Sequence, residues 1–187
     1  MNRYKQTMGG FTLVELVVTM AIAAIILTQA VPSFSTMISN NRLTTQTNNL
    51  VADINLARSE AVKRGLRVIL CRTADPYAAA ATCGGTANTW STGWLLYADD
   101  DGSGVYESAN DTLIRVGAPA VSTVAVKTNS TSNNNLEYNP DGTTNEGGST
   151  AIFAICDDRG TANGLQINVN GMGRPRLISS PLTTCTP

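Results

Sequence analysis

Apolar residues run almost unbroken from Phe11 to Val31, 21 residues with Glu15 as the one formal charge. At about 1.5 Å of rise per residue this is roughly 30 Å of helix, enough to cross the hydrocarbon of a bilayer. Pro32 follows, and a residue without an amide hydrogen predicts a kink or a melted turn there. From about Ser39 the pattern becomes amphipathic. Leu43, Thr47, Leu50, Ile54, Ala57 and Ala61 recur at alternating steps of four and three, which predicts one buried helical stripe. Arg42, Asn49, Asp53, Arg58, Glu60 and Lys63 fall largely off that stripe. The stripe is expected to pack on the chain's own sheet, and Gly65 is a natural stop for the helix.

Beyond Gly65 the period shortens to that of strands. Leu66 to Arg72, Thr92 to Ala98, Leu113 to Val116, Val121 to Lys127, Ala151 to Cys156 and Leu165 to Val169 are the predicted strands. Asp99-Asp100-Asp101-Gly102 reads as a hairpin turn, Thr128 to Asn135 as a polar loop, and Asn139-Pro140-Asp141-Gly142 as a turn. One long N-terminal helix followed only by short strands predicts an α+β layout, the helix packed on antiparallel sheets. The expected segments are 1–10 as a leader, 11–38 as a membrane-spanning and assembly helix, 39–65 as an amphipathic helix and 66–187 as a β-rich domain. No repeat and no second domain is visible.

Composition narrows the chemistry. The 187 residues carry 13 Lys+Arg against 14 Asp+Glu, and removal of a leader holding Arg3 and Lys5 leaves 11 against 14, a net of −3. Any nucleic-acid site must therefore be local. No histidine is present, which removes Ser-His-Asp and Cys-His catalysis and the commonest zinc ligand. No phosphate loop, catalytic carboxylate pair or nucleophile elbow appears, so the chain reads as non-enzymatic, without cofactor or metal. The four cysteines, Cys71, Cys83, Cys156 and Cys185, include no Cys-x-x-Cys and read as disulfides in an oxidising compartment. Of three connectivities, the sequence-local pairs Cys71–Cys83 and Cys156–Cys185 are favoured.

The short polar leader Met1 to Gly10 ends in Gly9-Gly10, ahead of the apolar run rather than behind it. An ordinary secretory signal is cut after its apolar region and loses it. A cut after Gly10 would keep the helix and start it with a free amine on Phe11. That amine accounts for Glu15: a lone carboxylate in lipid needs a partner, and Phe11 and Glu15, four apart, share a helix face. Gly10-Phe11-Thr12-Leu13-Val14-Glu15 resembles the leader junction of the type IV pilin family. Arg58-Ser59-Glu60-Ala61-Val62-Lys63-Arg64-Gly65, then Gly93-Trp94 before the acidic turn, is similar to the FimT/GspH class of minor pilins and pseudopilins within it. The resemblance implies the type IV pilin fold. It also implies processing and N-methylation at Gly10 and Phe11 by a prepilin peptidase, and Glu15 as the assembly residue. Partners would be major and other minor pilins and an inner-membrane assembly platform. The implied location is a single-pass inner-membrane protein with a periplasmic C-terminal domain, later extracellular in the pilus.

Near the C-terminus, Gly171-Met172-Gly173-Arg174-Pro175-Arg176 places two arginines on one side of an extended chain, about 7 Å apart. Pro175 cannot donate to a ladder, so the segment must be a sheet edge or a loop. The two glycines would leave room for an approaching polymer. After Asp158 there is no acid, while Arg159, Arg174 and Arg176 make the 29-residue tail +3. Guanidinium forks suit phosphate oxygens and would give salt-sensitive, sequence-independent binding. Gly-Arg-x-Arg here also resembles the motif of FimT-type minor pilins that bind DNA in natural transformation. By that resemblance Gly173, Arg174 and Arg176 are DNA-binding positions. The acidic run fits a turn better than a calcium loop, because the twelfth position counted from Asp99 is Asn110. Trp90 and Trp94 read as a turn and a core residue rather than a base-stacking platform. Two further readings stand beside DNA capture: a FimU-like structural subunit priming pilus assembly, and a GspH-type pseudopilin of type II secretion contacting exoproteins.

Overall fold

The computed structural model describes residues 10–129, 135–145, 149–178, 182, 184 and 185; nearly all of the leader and part of the polar loop after Thr128 lie outside them. Helix α1 spans Leu13–Arg64. It contributes to two compact units, Met1–Ser39 and Asn40–Pro187. In the first, Gly10, Phe11 and Thr12 precede the helix, and Thr12 caps it. Its hydroxyl accepts the Glu15 amide at 3.2 Å and its carbonyl accepts the Leu16 amide at 3.1 Å. A Thr at this position with Glu three residues on is a helix-start signature, because it supplies acceptors to otherwise orphaned donors. The described apolar side chains of this unit face outward, Phe11 at 82% and Leu13 at 79% exposure. The segment is long and apolar enough to cross a membrane. The melted turn expected at Pro32 is not found, since α1 is helical through it. A single proline deletes one donor from the ladder, and the turns on either side carry the helix past the gap.

In the second unit the predicted stripe is the buried one: Leu43, Leu50, Ile54, Ala57 and Ala61 are each at most 1% exposed. Buried Thr47 spends its hydroxyl on the Leu43 carbonyl one turn back, at 2.8 Å. Gly65 closes the helix at φ 66°, its amide donating to the Ala61 carbonyl. Two four-stranded antiparallel sheets follow. The first has the order β3 (Thr112–Gly117), β2 (Trp94–Ala98), β1 (Val68–Arg72), β5 (Asn135–Tyr138). The second has the order β4 (Val124–Thr128), β6 (Ala151–Asp157), β7 (Leu165–Val169), β8 (Pro175–Ile178). The core joins the stripe to both sheets through Val68, Leu70, Leu96, Val126, Phe153 and Ile167.

Strand β1 is buried on both faces. Its outward residues Ile69 and Cys71 form a second cluster with Leu95 and Tyr97. Cys71 is bonded to Cys83 and Cys156 to Cys185, with Cα–Cα separations of 5.6 and 6.0 Å. The acidic run does join two antiparallel neighbours, β2 and β3, through residues 99–111, as its reading as a hairpin turn expects. Two expectations need correction. β5 arises in Asn-Leu-Glu-Tyr, where no strand is predicted, because β1 offers it a partner from Val68↔Tyr138 to Cys71↔Asn135. Asp53 is not off the stripe; it is 1% exposed.

Candidate functional site

The Arg174–Arg176 segment enters β8, an edge strand whose one neighbour is β7, with Val169↔Pro175 and Asn168↔Arg176 in register. A proline is tolerated there because the outer edge needs no donor. Arg174 and Arg176 are exposed, and neither hydrogen-bonds or ion-pairs with another described residue. Their presentation depends on the turn before them. Gly173 stands at φ 73° and its amide donates to the Asn170 carbonyl at 2.8 Å. Its carbonyl accepts the Tyr138 hydroxyl at 3.0 Å.

A Cβ at Gly173 would overlap the Gly142 carbonyl and crowd the Tyr138 ring, 2.8 Å from its Cε1. The glycine is therefore buried against the chain's own 139–142 turn, which corrects the expectation that it clears space for a polymer. The turn is held further by the Thr144 amide on the Gly171 carbonyl at 2.9 Å. Arg58, from α1, donates its Nε to the Gly142 carbonyl at 3.1 Å. Arg159, counted in the basic tail, is already neutralised. It pairs with Asp157 at 2.7 Å and donates to Asn40 Oδ1 at 2.8 Å. The free charge of the segment is the two arginines alone.

Gly10, Phe11 and Glu15 belong to the first unit, at the capped start of α1, with Gly10 and Phe11 exposed and non-helical. The acidic loop brings carboxylate oxygens of Asp99, Asp101 and Asp111 within 4.8 Å of one another. Each is already occupied. Asp99 accepts Arg67 Nε at 2.6 Å and the Gly104 amide at 3.2 Å. Asp101 accepts the Ser103 amide, and Asp111 those of Asp100 and Glu107. The cluster is a loop staple and carries no metal assignment. Neither tryptophan is available for base stacking: Trp90 is 0% exposed, its ring edge-on to Phe153 at 5.1 Å, and Trp94 is 1% exposed.

What the pattern missed is a buried polar triad. Trp94 donates its Nε1–H to Asp53 Oδ2 at 2.8 Å, and Arg115 Nε lies 2.9 Å from Asp53 Oδ1. Burial raises the Asp53 pKa above the ordinary carboxylate value, against the opposing pull of Trp94 and Arg115. Gly117 must be glycine because a Cβ would enter the Trp94 indole. The signal was present, since Asp53 is three after Leu50 and four before Ala57, a position on the stripe.

Residues 46–173 match the family described as Type II transport protein GspH, about two thirds of the chain. The chain belongs to the GspH family. Residues 6–28 match the prokaryotic N-terminal methylation motif, so this GspH-family protein is a minor pilin or pseudopilin of the type IV kind. Its fold is similar to the type IV minor pilin FimU of Pseudomonas aeruginosa PAO1. In one crystal form the TM-score is 0.57 at 20% identity, covering 78% of this chain and 96% of that one. In a second it is 0.52 at 22%, covering 76% and 99%. These likenesses establish the α+β pilin fold. No curated protein sequence matches the chain significantly. Proteins of this family are structural, so the GspH-family chain is not an enzyme, and it associates with other pilins and the assembly machinery. Its apolar helix and motif fit a membrane-anchored pilin incorporated into a pilus. The GspH match stops at residue 173, immediately before the free arginines.

Proposed function

We propose that this GspH-family pilin captures DNA without sequence preference through Arg174 and Arg176 and so supports DNA uptake in natural transformation. A prepilin peptidase cuts after Gly10 and methylates Phe11. The new ammonium compensates Glu15, in the same chain or a neighbour. The mature protein waits in the inner membrane, its C-terminal domain in the periplasm, and is then built into the pilus. The single observation that carries DNA capture is a pair of exposed arginines at the start of an edge strand, their side chains without a partner among the described residues. Two phosphate contacts give a salt slope of about −1.8.

The test is titration of the full chain, in nonionic detergent, with duplex DNA at several salt concentrations. Arg174→Gln with Arg176→Gln should lower the magnitude of the slope by about 1.8; an unchanged affinity and slope would remove the assignment. A structural reading is favoured by the fold likeness to FimU: a minor pilin priming pilus assembly, with no ligand. The family match itself favours a type II secretion pseudopilin contacting exoproteins. Deletion separates the three. Lost transformation with intact pili supports DNA capture, lost pili the structural subunit, and failed exoprotein release the pseudopilin.

A further inference from the structure

Two arginines make a short anion site, yet the turn that presents them is bonded to a cation of the helix. Arg58 Nε donates to the Gly142 carbonyl, and the same carbonyl fills the space above Gly173. Those contacts and one Cα step put Arg58 Nε within about 11 Å of the Arg174 backbone, some three nucleotides of strand rise. Arg58 and Asp141 of that turn also line an open groove of about 570 Å³, together with Asn55, Ser59, Val62 and Lys63. We propose that the DNA-binding surface continues from Arg174 and Arg176 over the 139–142 turn into this groove, with Arg58 and Lys63 as further phosphate contacts. The inference rests on the reading of the arginine pair as a DNA site.

Charge supports a polyanion as the occupant. Lys63 is 76% exposed at its side chain, and the acid nearest it, Glu60, is engaged by Arg64 at 2.7 Å and only loosely by Lys63 at 3.4 Å. Asn55 and Ser59 add side chains that can hydrogen-bond a phosphate or sugar. Among the described residues Asp141 is the one acid lining the groove, and it accepts the Thr143 amide at 2.9 Å, which holds it at the turn. It acts as a brake on binding.

The experiment uses the full chain in nonionic detergent and a duplex of about 30 bp of mixed sequence, titrated across a salt series. Lys63→Gln, an exposed change that leaves the fold alone, should lower the magnitude of the salt slope by about 0.9. Asp141→Asn keeps an acceptor for the Thr143 amide and should tighten binding about twofold to fivefold at low salt. Arg42→Gln, about 24 Å along the helix from Arg58, should change neither quantity. If the double arginine variant lowers the slope while Lys63→Gln and Asp141→Asn do nothing, the track is refuted and the arginine site stands. An equal effect from Arg42→Gln overturns the track in favour of net charge alone. If no variant lowers the slope, DNA capture itself falls.

Discussion

Asp53→Ala tests what the buried triad contributes. The Trp94 donor sits 2.8 Å from Asp53 Oδ2, with both residues 1% exposed, so Asp53→Ala removes the protein acceptor of a buried donor. A buried donor left unmade costs about 1–3 kcal/mol. The ion pair adds less, roughly 0–1 kcal/mol, because the Arg115 side chain is 49% exposed and resolvates. Relief from burying a carboxylate offsets part of this. The expected net loss is about 1–2 kcal/mol, a fall of about 2–8 °C in Tm for a chain of this size. Urea and thermal unfolding of the full chain in nonionic detergent, followed by emission of buried Trp90, measure it. Repeating Asp53→Ala in a Trp94→Phe background, where no donor remains to strand, should recover most of the cost. A coupling between the two substitutions below about 0.3 kcal/mol would refute the reasoning.

The same triad sets a pH dependence. The native Asp53 pKa is raised above its unfolded value, so the folded protein binds this proton more tightly and ionisation penalises the fold. The penalty is absent below the unfolded value of 3.8 and complete above the raised native one. Asp53→Asn keeps a carbonyl for Trp94 and cannot ionise, so its stability relative to wild type should improve as the pH rises from the unfolded value of 3.8 through the raised native one. Gly173→Ala should destabilise by more than about 1 kcal/mol, since φ is 73° and the Cβ meets the Gly142 carbonyl. Gly160→Ala, at φ 83° with nothing nearby, should cost less in the same melts. Replacing both cysteines of Cys156–Cys185 should cost about 0.8 kcal/mol more than replacing both of Cys71–Cys83, because it frees a loop of 29 rather than 12 residues. Added calcium or a chelator should leave Tm unchanged, as Asp99, Asp101 and Asp111 already have donors.

Much of this protein is legible from local pattern. The apolar run, the Gly-Phe-Thr-Leu-Val-Glu junction and the stripe from Leu43 to Ala61 depend on spacing along one helix, which needs no partner to define it. The edge character of the Arg174–Arg176 segment followed from Pro175, whose missing donor is a property of the residue. Other features exist only because distant segments meet. β5 is a strand because β1 lies beside it, and Gly173 is indispensable because the Gly142 carbonyl arrives there. Arg159 loses its free charge to Asp157, and Asp53 is buried because Trp94 and Arg115 converge on it from the sheet. Periodicity records which face a residue occupies; the fate of a polar group on that face depends on which partner the fold brings within 3 Å of it.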